Sequence, residues 1–156
     1  MSSTVIQPPA ALPLQGIVVI EFGHSVAAPF AGQVLADLGA EVIKIEKPDG
    51  DDARKWGPPF VDGAAAPFQA LNRSKRSVVA DLRDPCDRKA LLELIHERAD
   101  VVLQNLRPGQ VDSLDLGSEA ILRLKPSLIY CNLGAFGTKF PTAAEFSKFT
   151  RSRLEL

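Results

Sequence analysis

Apolar residues in this chain form short, nearly continuous runs rich in β-branched side chains, with stretches of helical spacing between them. Such runs are typical of strands that are buried on both faces of a sheet. The pattern predicts five strands, at residues 17–22, 41–46, 77–82, 100–104 and 128–133. Helical spacing predicts helices over 27–38, 84–98, 111–116 and from 118 to the proline at 126.

Residues at the ends of these helices support the assignment. Gly39 suits the position just after a helix, where a positive φ is required. Asp84 and Pro85 fit an N-cap followed by a first helical position, and Ser118 is predicted to cap the last helix. The proline- and glycine-rich segment 47–70 is predicted to be a long loop with little regular structure.

Strands that alternate with helices predict an α/β fold, here a Rossmann-like parallel sheet flanked by helices. We divide the chain into a loose N-terminal lead-in at 1–13, a Rossmann-like domain at 14–137 and a tail at 138–156. Ligands of parallel sheets bind at the carboxyl ends of the strands. The expected binding turns are therefore 23–27, 47–50, 82–84, 105–109 and 134–138.

Basic residues gather near these predicted turns. Lys47, Arg83 and Arg107 each follow a predicted strand, and Arg73, Lys75 and Arg76 lie around the start of the third. Cations at one edge of a sheet suit a phosphorylated ligand, although they are also compatible with solvated loop charges. The first turn lacks the Gly-x-Gly-x-x-Gly pattern, which disfavours NAD as a ligand. The backbone amides of Val26 and Ala27, at the start of the predicted helix, are candidates for binding an anion; the alternative is a plain strand-to-helix turn without a ligand.

Composition narrows the class of partner. The 156 residues carry a net charge of −1, so we expect no nucleic-acid or membrane partner. With two cysteines and two histidines, we expect no metal site, and we interpret the cysteines as reduced in a cytoplasmic protein. His24 is interpreted as structural more readily than as catalytic. Trp56 is either a lid or a loop anchor, and Cys86 lacks an identified base.

Three stretches occur together in a recognisable order: LQGIVVIEF at 14–22 continuing to ADLGAEVIKIE at 36–46, LNRSKRSVVAD at 71–81, and ADVVLQNLRPG at 99–109. In this order they resemble the N-terminal part of the class III CoA-transferases, the CaiB/BaiF type. The resemblance spans residues 14–137 and names coenzyme A as the ligand. Carried over position by position, it implies contacts at Val26, Ala27, Lys47, Ala80, Asp81, Leu82, Arg83, Asn105, Leu106 and Arg107. The chain departs from some members at Val26, where they have Gln, and at Ser113, where they have a basic residue.

The resemblance also implies a reaction, the transfer of CoA from an acyl-CoA to a carboxylic acid through a catalytic aspartate. That aspartate is expected after a Gly-Phe-Gly-x-x-Gly-Pro-like stretch that residues 134–139 only begin, and no Asp occurs after Asp115. We therefore assign no catalytic residue, interpret the chain as a truncated CoA-binding part that is incomplete relative to the family, and expect no transferase turnover from it alone.

Three alternatives stay open. One is a 2-methylacyl-CoA racemase-like member of the same family, another is a non-catalytic CoA-binding module, and the last is an inactive remnant. Family members are interlocked homodimers that need a smaller second domain. We expect this chain to expose apolar surface instead of forming that dimer, and therefore to aggregate or capture a partner.

Overall fold

A computed structural model describes residues 11–107 and 109–134. Its main feature is a five-stranded, fully parallel sheet. The strands are β1 (Val18–Phe22), β2 (Glu41–Glu46), β5 (Arg76–Val79), β6 (Val101–Gln104) and β7 (Ile129–Asn132). Their order in the sheet is β5-β2-β1-β6-β7. A separate antiparallel pair joins β3 (Phe60–Val61) to β4 (Ala64–Ala65). The helices are α1 (Ala27–Asp37), α2 (Ala66–Asn72), α3 (Pro85–Arg98) and α4 (Ser118–Leu124).

Alternation of side chains along the strands builds one apolar layer on each face of the sheet. Ile20, Ile43 and Val102 pack against Leu91 and Ile95 of α3, together with other buried residues. On the opposite face, Val19, Val42 and Leu103 pack against α1 through Ala28. Burial on both faces explains why the strands are almost continuous apolar runs in the sequence. The α/β class and the parallel sheet predicted from the sequence are confirmed.

The strand order places a topological switch beside the first strand. From β1 the chain moves outward to β2 and β5, and then returns to form β6 on the other side of β1. In open α/β sheets, the crevice at such a switch, at the carboxyl ends of the strands, is the usual ligand site. The turns after β1 and β6 are therefore the structural centre of any site here.

The segment 47–70 differs from its prediction as a long irregular loop. It contains a 3₁₀ turn at Asp52–Lys55, the β3–β4 pair and the first part of α2. Phe68 is buried with Ala53 and Ala64, and the Arg54 guanidinium stacks on its ring at 3.9 Å from the centroid. The prediction of a long loop with little regular structure was wrong because this ordering depends on contacts between residues far apart in the sequence.

Two predicted helix ends are confirmed, whereas other predicted bounds differ from the structure. Asp84 caps α3 by accepting hydrogen bonds from the amides of Cys86 and Asp87, and Gly39 has the expected positive φ of 103°. The third main strand spans Arg76–Val79 instead of 77–82, and the helix predicted at 111–116 is a 3₁₀ turn at Asp112–Leu114. The cap of α4 is Gly117, and Ser118 is the first helical residue.

In residues 11–107 and 109–134, no helix combines the length and the hydropathy that crossing a bilayer requires.

Candidate functional site

A cleft of about 390 Å³ opens at the carboxyl edge of the sheet. Four of the main strands contribute the residues at or after their ends: Phe22–His24 from β1, Ile45–Lys47 from β2, residues 80–83 from β5, and Leu106, Gln110 and Leu114 from the segment after β6. Gly50, Asp51 and Asp52 close one side. The volume lies within the range of small-molecule sites, and the position is the one that the strand order favours.

Two cations line the cleft, and each is held by a carboxylate that also lines it. Lys47 Nζ lies 2.6 Å from Asp52 Oδ1, and Arg83 Nε lies 3.1 Å from Asp81 Oδ1. The hydrogen bond from Lys47 lowers the pKa of Asp52, and the one from Arg83 lowers the pKa of Asp81. These cations are exposed and ion-paired, so an incoming anion would compete with Asp52 and Asp81 for them.

Six of the ten residues predicted to contact the ligand line this cleft. They are Lys47, Ala80, Asp81, Leu82, Arg83 and Leu106. Val26, Ala27, Asn105 and Arg107 lie outside its lining, although Val26 and Ala27 begin α1 directly beside it. Arg107 is exposed, and Pro108 falls outside the described residues. A ligand contact at any of the ten stays a prediction.

Asn105 has a structural task that its predicted role did not include. Its side chain accepts a hydrogen bond from the His24 amide at 3.0 Å and donates one to the His24 carbonyl at 3.0 Å. This two-point contact joins the turn after β6 to the turn after β1. Asn105 therefore sets the geometry at the switch point itself, where two crossover connections leave the sheet in opposite directions.

Besides Arg107, three of the predicted edge cations are not part of the cleft. Arg73 pairs with Asp37, Arg76 pairs with Glu41 at the amino end of β2, and Lys75 Nζ lies 2.8 Å from Glu21 Oε2 in the interior. The prediction that they share one edge with Lys47 and Arg83 was wrong. Arg73 and Lys75 come before β5 and Arg76 is its first residue, so the parallel sheet directs them away from its carboxyl edge.

A buried charged cluster beneath the cleft was missed entirely. Lys44 Nζ, in a side chain only 1% exposed, lies 3.0 Å from Glu21 Oε1, 2.9 Å from Asp51 Oδ2 and 2.7 Å from the Gly23 carbonyl oxygen. Asp51 Oδ1 in turn accepts hydrogen bonds from the amides of Ser25 and Ala53. The contact to Asp51 Oδ2 is an ion pair without hydrogen-bond geometry, since that oxygen has no hydrogen-bond partner within the described part of the chain.

One signal in the sequence could have revealed this cluster. Glu21 interrupts the apolar run of β1, and Lys44 separates the apolar residues of β2. The two residues are paired in register between β1 and β2. Opposite charges at matching positions of neighbouring buried strands are costly unless they meet. The Glu21 carboxylate is paired with two ammonium groups, those of Lys44 and Lys75. Burial lowers the pKa of Lys75, and the Glu21 charge opposes this shift.

Glu46 connects the cluster to the ordered part of segment 47–70. Arg54 donates to both of its carboxylate oxygens at 2.7 Å, Ser77 Oγ donates at 2.6 Å, and the Asp51 amide donates at 2.9 Å. Burial would raise the pKa of Glu46, but these hydrogen bonds and the Arg54 charge outweigh it and lower the pKa to about 2. Glu46 therefore holds Arg54, and with it the 3₁₀ turn, against the end of β2.

This arrangement predicts a stability loss in acid. Because the folded pKa lies below the usual value of 4.5, the stabilisation is complete above about pH 4.5 and is lost as the pH falls towards 2. The size is on the order of 3 kcal/mol. We expect Glu46→Gln to flatten the free energy of unfolding between pH 5 and pH 2 when urea unfolding is followed by circular dichroism. Glu119→Gln, at an exposed helix pair with Arg123, is the control and should keep the parental slope. Equal slopes for Glu46→Gln and the parent would contradict this prediction.

The described residues hold no cluster of three or more histidine, cysteine, aspartate or glutamate side chains arranged for a metal ion. Both cysteines are free, Cys86 on the surface and Cys131 half-buried.

Comparison with known proteins identifies the family. Residues 14–147 match the model of CoA-transferase family III. The chain belongs to this family. The match begins at Leu14, as predicted, and runs past Gly137. The resemblance stated from the three sequence stretches is confirmed.

Named relatives of this family III chain are transferases. It is 47% identical over 138 residues to a succinate–glutarate CoA-transferase of Agrobacterium fabrum, covering 84% of the chain and 34% of the relative. It is 40% identical to the human succinyl-CoA:glutarate CoA-transferase, over 83% of the chain and 30% of that protein. The chain thus spans about a third of the length of the curated relatives it matches.

Solved structures agree with the fold. A CaiB/BaiF family protein from Brucella suis superposes with a TM-score of 0.80 at 46% identity, covering 84% of the chain and 35% of that structure. Rv3272 from Mycobacterium tuberculosis gives a TM-score of 0.77 at 45% identity, with 84% and 36% covered. The five-stranded sheet of this family III chain is therefore that of CaiB/BaiF proteins, in the part that the two share.

Proposed function

We propose that the cleft binds coenzyme A, and that the chain is the CoA-binding part of an enzyme that transfers CoA from an acyl-CoA to a carboxylic acid. Family membership and the names of the relatives support the ligand and the reaction type. Those names are of transferases, which favours transfer over the racemase alternative. The names of two relatives include glutarate and oxalate, and we therefore propose a dicarboxylic acid as the acceptor of CoA.

The chemistry of the cleft suits the nucleotide half of CoA. Phe22, Ile45, Leu106 and Leu114 provide apolar walls on which an adenine ring can stack. Lys47 and Arg83 lie at the same cleft and provide charge for the pyrophosphate and the 3′-phosphate.

The single observation that carries the proposal is the meeting of these two cations. Lys47 follows β2 and Arg83 follows the end of β5, and the parallel pairing of these neighbouring strands brings both to one hollow. Each cation is already paired with a carboxylate, so binding of a phosphate exchanges one anion for another instead of desolvating a bare cation.

Titration calorimetry with CoA tests the proposal. We expect Lys47→Ala and Arg83→Ala each to weaken CoA binding about 10-fold, because each removes one charge-assisted contact. Asp52→Asn should strengthen binding, since it releases Lys47 from its competitor. The same variants are then titrated with dephospho-CoA, which lacks the 3′-phosphate. A variant that binds CoA more weakly than the parent, but binds dephospho-CoA as tightly as the parent, has lost the contact with the 3′-phosphate.

Arg123→Ala is the matched control, because Arg123 is exposed and paired with Glu119 on α4, away from the cleft. It should bind CoA as the parent does. If the parent chain fails to bind CoA, or if Lys47→Ala and Arg83→Ala bind it as tightly as Arg123→Ala, the cleft is not the CoA site.

A further inference from the structure

The turn between β1 and α1 has an unusual backbone. It reads Gly23-His24-Ser25-Val26-Ala27, and Ser25 adopts φ +67°, a left-handed conformation that side chains other than glycine seldom occupy. A Cβ at Gly23 would lie 2.3 Å from Ala28 Cβ, so only glycine allows the strand to approach the helix this closely. A strained serine at a sharp strand-to-helix turn, two residues after a glycine, shares these features with a nucleophile elbow, whose second glycine would stand at Ala27.

A base lies within hydrogen-bond distance of this serine. His24 Nδ1 is 2.9 Å from Ser25 Oγ, and His24 lines the cleft. The backbone that presents both side chains is fixed at two points. The Asn105 side chain forms hydrogen bonds with the amide and the carbonyl of His24, and Asp51 Oδ1 accepts a hydrogen bond from the Ser25 amide at 3.1 Å. The strained conformation is therefore held by the fold, as a positioned nucleophile requires.

Donors for a developing negative charge lie next to the serine. α1 starts directly after it, and within the described residues no side chain caps the start of this helix. The Val26 amide follows the serine in the chain, which is the position of the oxyanion donor in a nucleophile elbow. Nucleophile, base and donor thus come from one continuous turn at the end of β1.

We propose that Ser25 is a nucleophile that accepts the acyl group of a thioester, with His24 as its general base, and that the turn thereby supports acyl-CoA hydrolysis. Delivery of an acyl-CoA to this turn rests on the proposed function of the cleft. The chemistry of the turn itself does not, so a small activated ester tests it separately.

The reaction balances with water as the only co-reactant. Ser25 Oγ attacks the thioester carbonyl carbon while its proton passes to His24 Nδ1, in the tautomer that carries its own proton on Nε2. The C–S bond breaks, and the thiolate takes the proton from His24 to leave as free CoA. Water then attacks the serine ester and gives a proton to His24. The Ser25 oxygen leaves with that proton, and the carboxylic acid is released.

Two substrates test the inference on the purified 156-residue chain. Succinyl-CoA hydrolysis is followed by thiol release, and p-nitrophenyl acetate is followed by nitrophenolate release with peptide mass spectrometry of the acylated residue. We expect an acyl adduct on Ser25 with both substrates. Ser25→Gly and His24→Gln should each lower the hydrolysis rate at least about 100-fold. Glycine suits the positive φ, so Ser25→Gly removes the hydroxyl without adding strain.

Ser118→Ala is the control, because Ser118 is an exposed serine at the start of α4. It should keep the parental rate, and Ser25→Gly should keep CoA affinity within about 2-fold. Hydrolysis and adduct formation that persist in Ser25→Gly would overturn the inference, as would a parent chain that neither forms the adduct nor hydrolyses either substrate. Acylation of Ser25 by the ester without CoA binding would uphold the inference and contradict the proposed CoA site.

Discussion

Replacing Lys44 with methionine is expected to lower the free energy of unfolding by about 3 to 5 kcal/mol, the range for a buried ion pair that loses one partner. Lys44 is 1% exposed and stands between the carboxylates of Glu21 and Asp51. Lys75 still pairs with Glu21 when Lys44 is lost, but Asp51 keeps no ion pair within the described residues. Methionine fills most of the volume, so the loss reports mainly the uncompensated charge.

Urea unfolding measures this effect. Lys89→Met is the matched control, since Lys89 is exposed and faces Glu93 at 3.8 Å on α3, and it should change stability by less than about 1 kcal/mol. If Lys44→Met is too unstable to measure, the double variant Lys44→Met/Asp51→Asn should recover part of the loss, because it removes the unpaired carboxylate. A loss for Lys44→Met no larger than that of Lys89→Met would contradict the prediction.

Gly32→Ala is expected to destabilise the protein by about 2 kcal/mol, although helix propensity alone would favour alanine by about 1 kcal/mol. Gly32 lies in α1 over the buried cluster. A Cβ there would be 2.1 Å from Glu21 Oε2 and 3.3 Å from Lys75 Nζ. Glu21 is fixed by both lysines, so the carboxylate is not free to move aside. The packing term therefore exceeds the propensity term and reverses its sign.

Val34→Ala provides the comparison on the same helix, because Val34 is 40% exposed and its truncation removes little buried surface. We expect it to stay within about 0.5 kcal/mol of the parent. Thermal unfolding of both variants shows whether the packing cost or the gain in helix propensity is larger. A Gly32→Ala protein that is as stable as the parent, or more stable, would show that the helix shifts to accommodate the methyl group.

Much of the fold could be predicted from local pattern. The apolar run at 17–22 predicted β1, because a strand buried on both faces has few polar positions. The apolar residues that alternate with charges at 41–46 predicted β2. The Asp84-Pro85 pair and Gly39 marked helix ends, because caps depend on one or two residues. The order inside 47–70 could not be predicted, since α2 depends on Phe68 meeting Arg54 and Ala53 across a turn.

Part of the candidate site could likewise be predicted from local pattern, and the rest required the tertiary structure. Lys47 and Arg83 were predicted because they follow strands, and strand ends share one edge of a parallel sheet. The role of Asn105 as a clamp on His24, and of Lys44 as a buried link between Gly23 and Asp51, required the pairing of β1 with β2 and with β6. The nearest neighbours of a lysine in the sequence do not reveal whether it faces water or a carboxylate on the adjacent strand.

The sequence by itself determined the alternation of strands and helices, the family and the group of turns that follow the strands. Only the tertiary structure decided which charged side chains line the cleft and which ones form buried ion pairs beneath it. Backbone conformation and burial follow from neighbouring residues and their periodicity. The state of a charged side chain is set by the groups within about 3 Å of it, and distant parts of the chain bring those groups there.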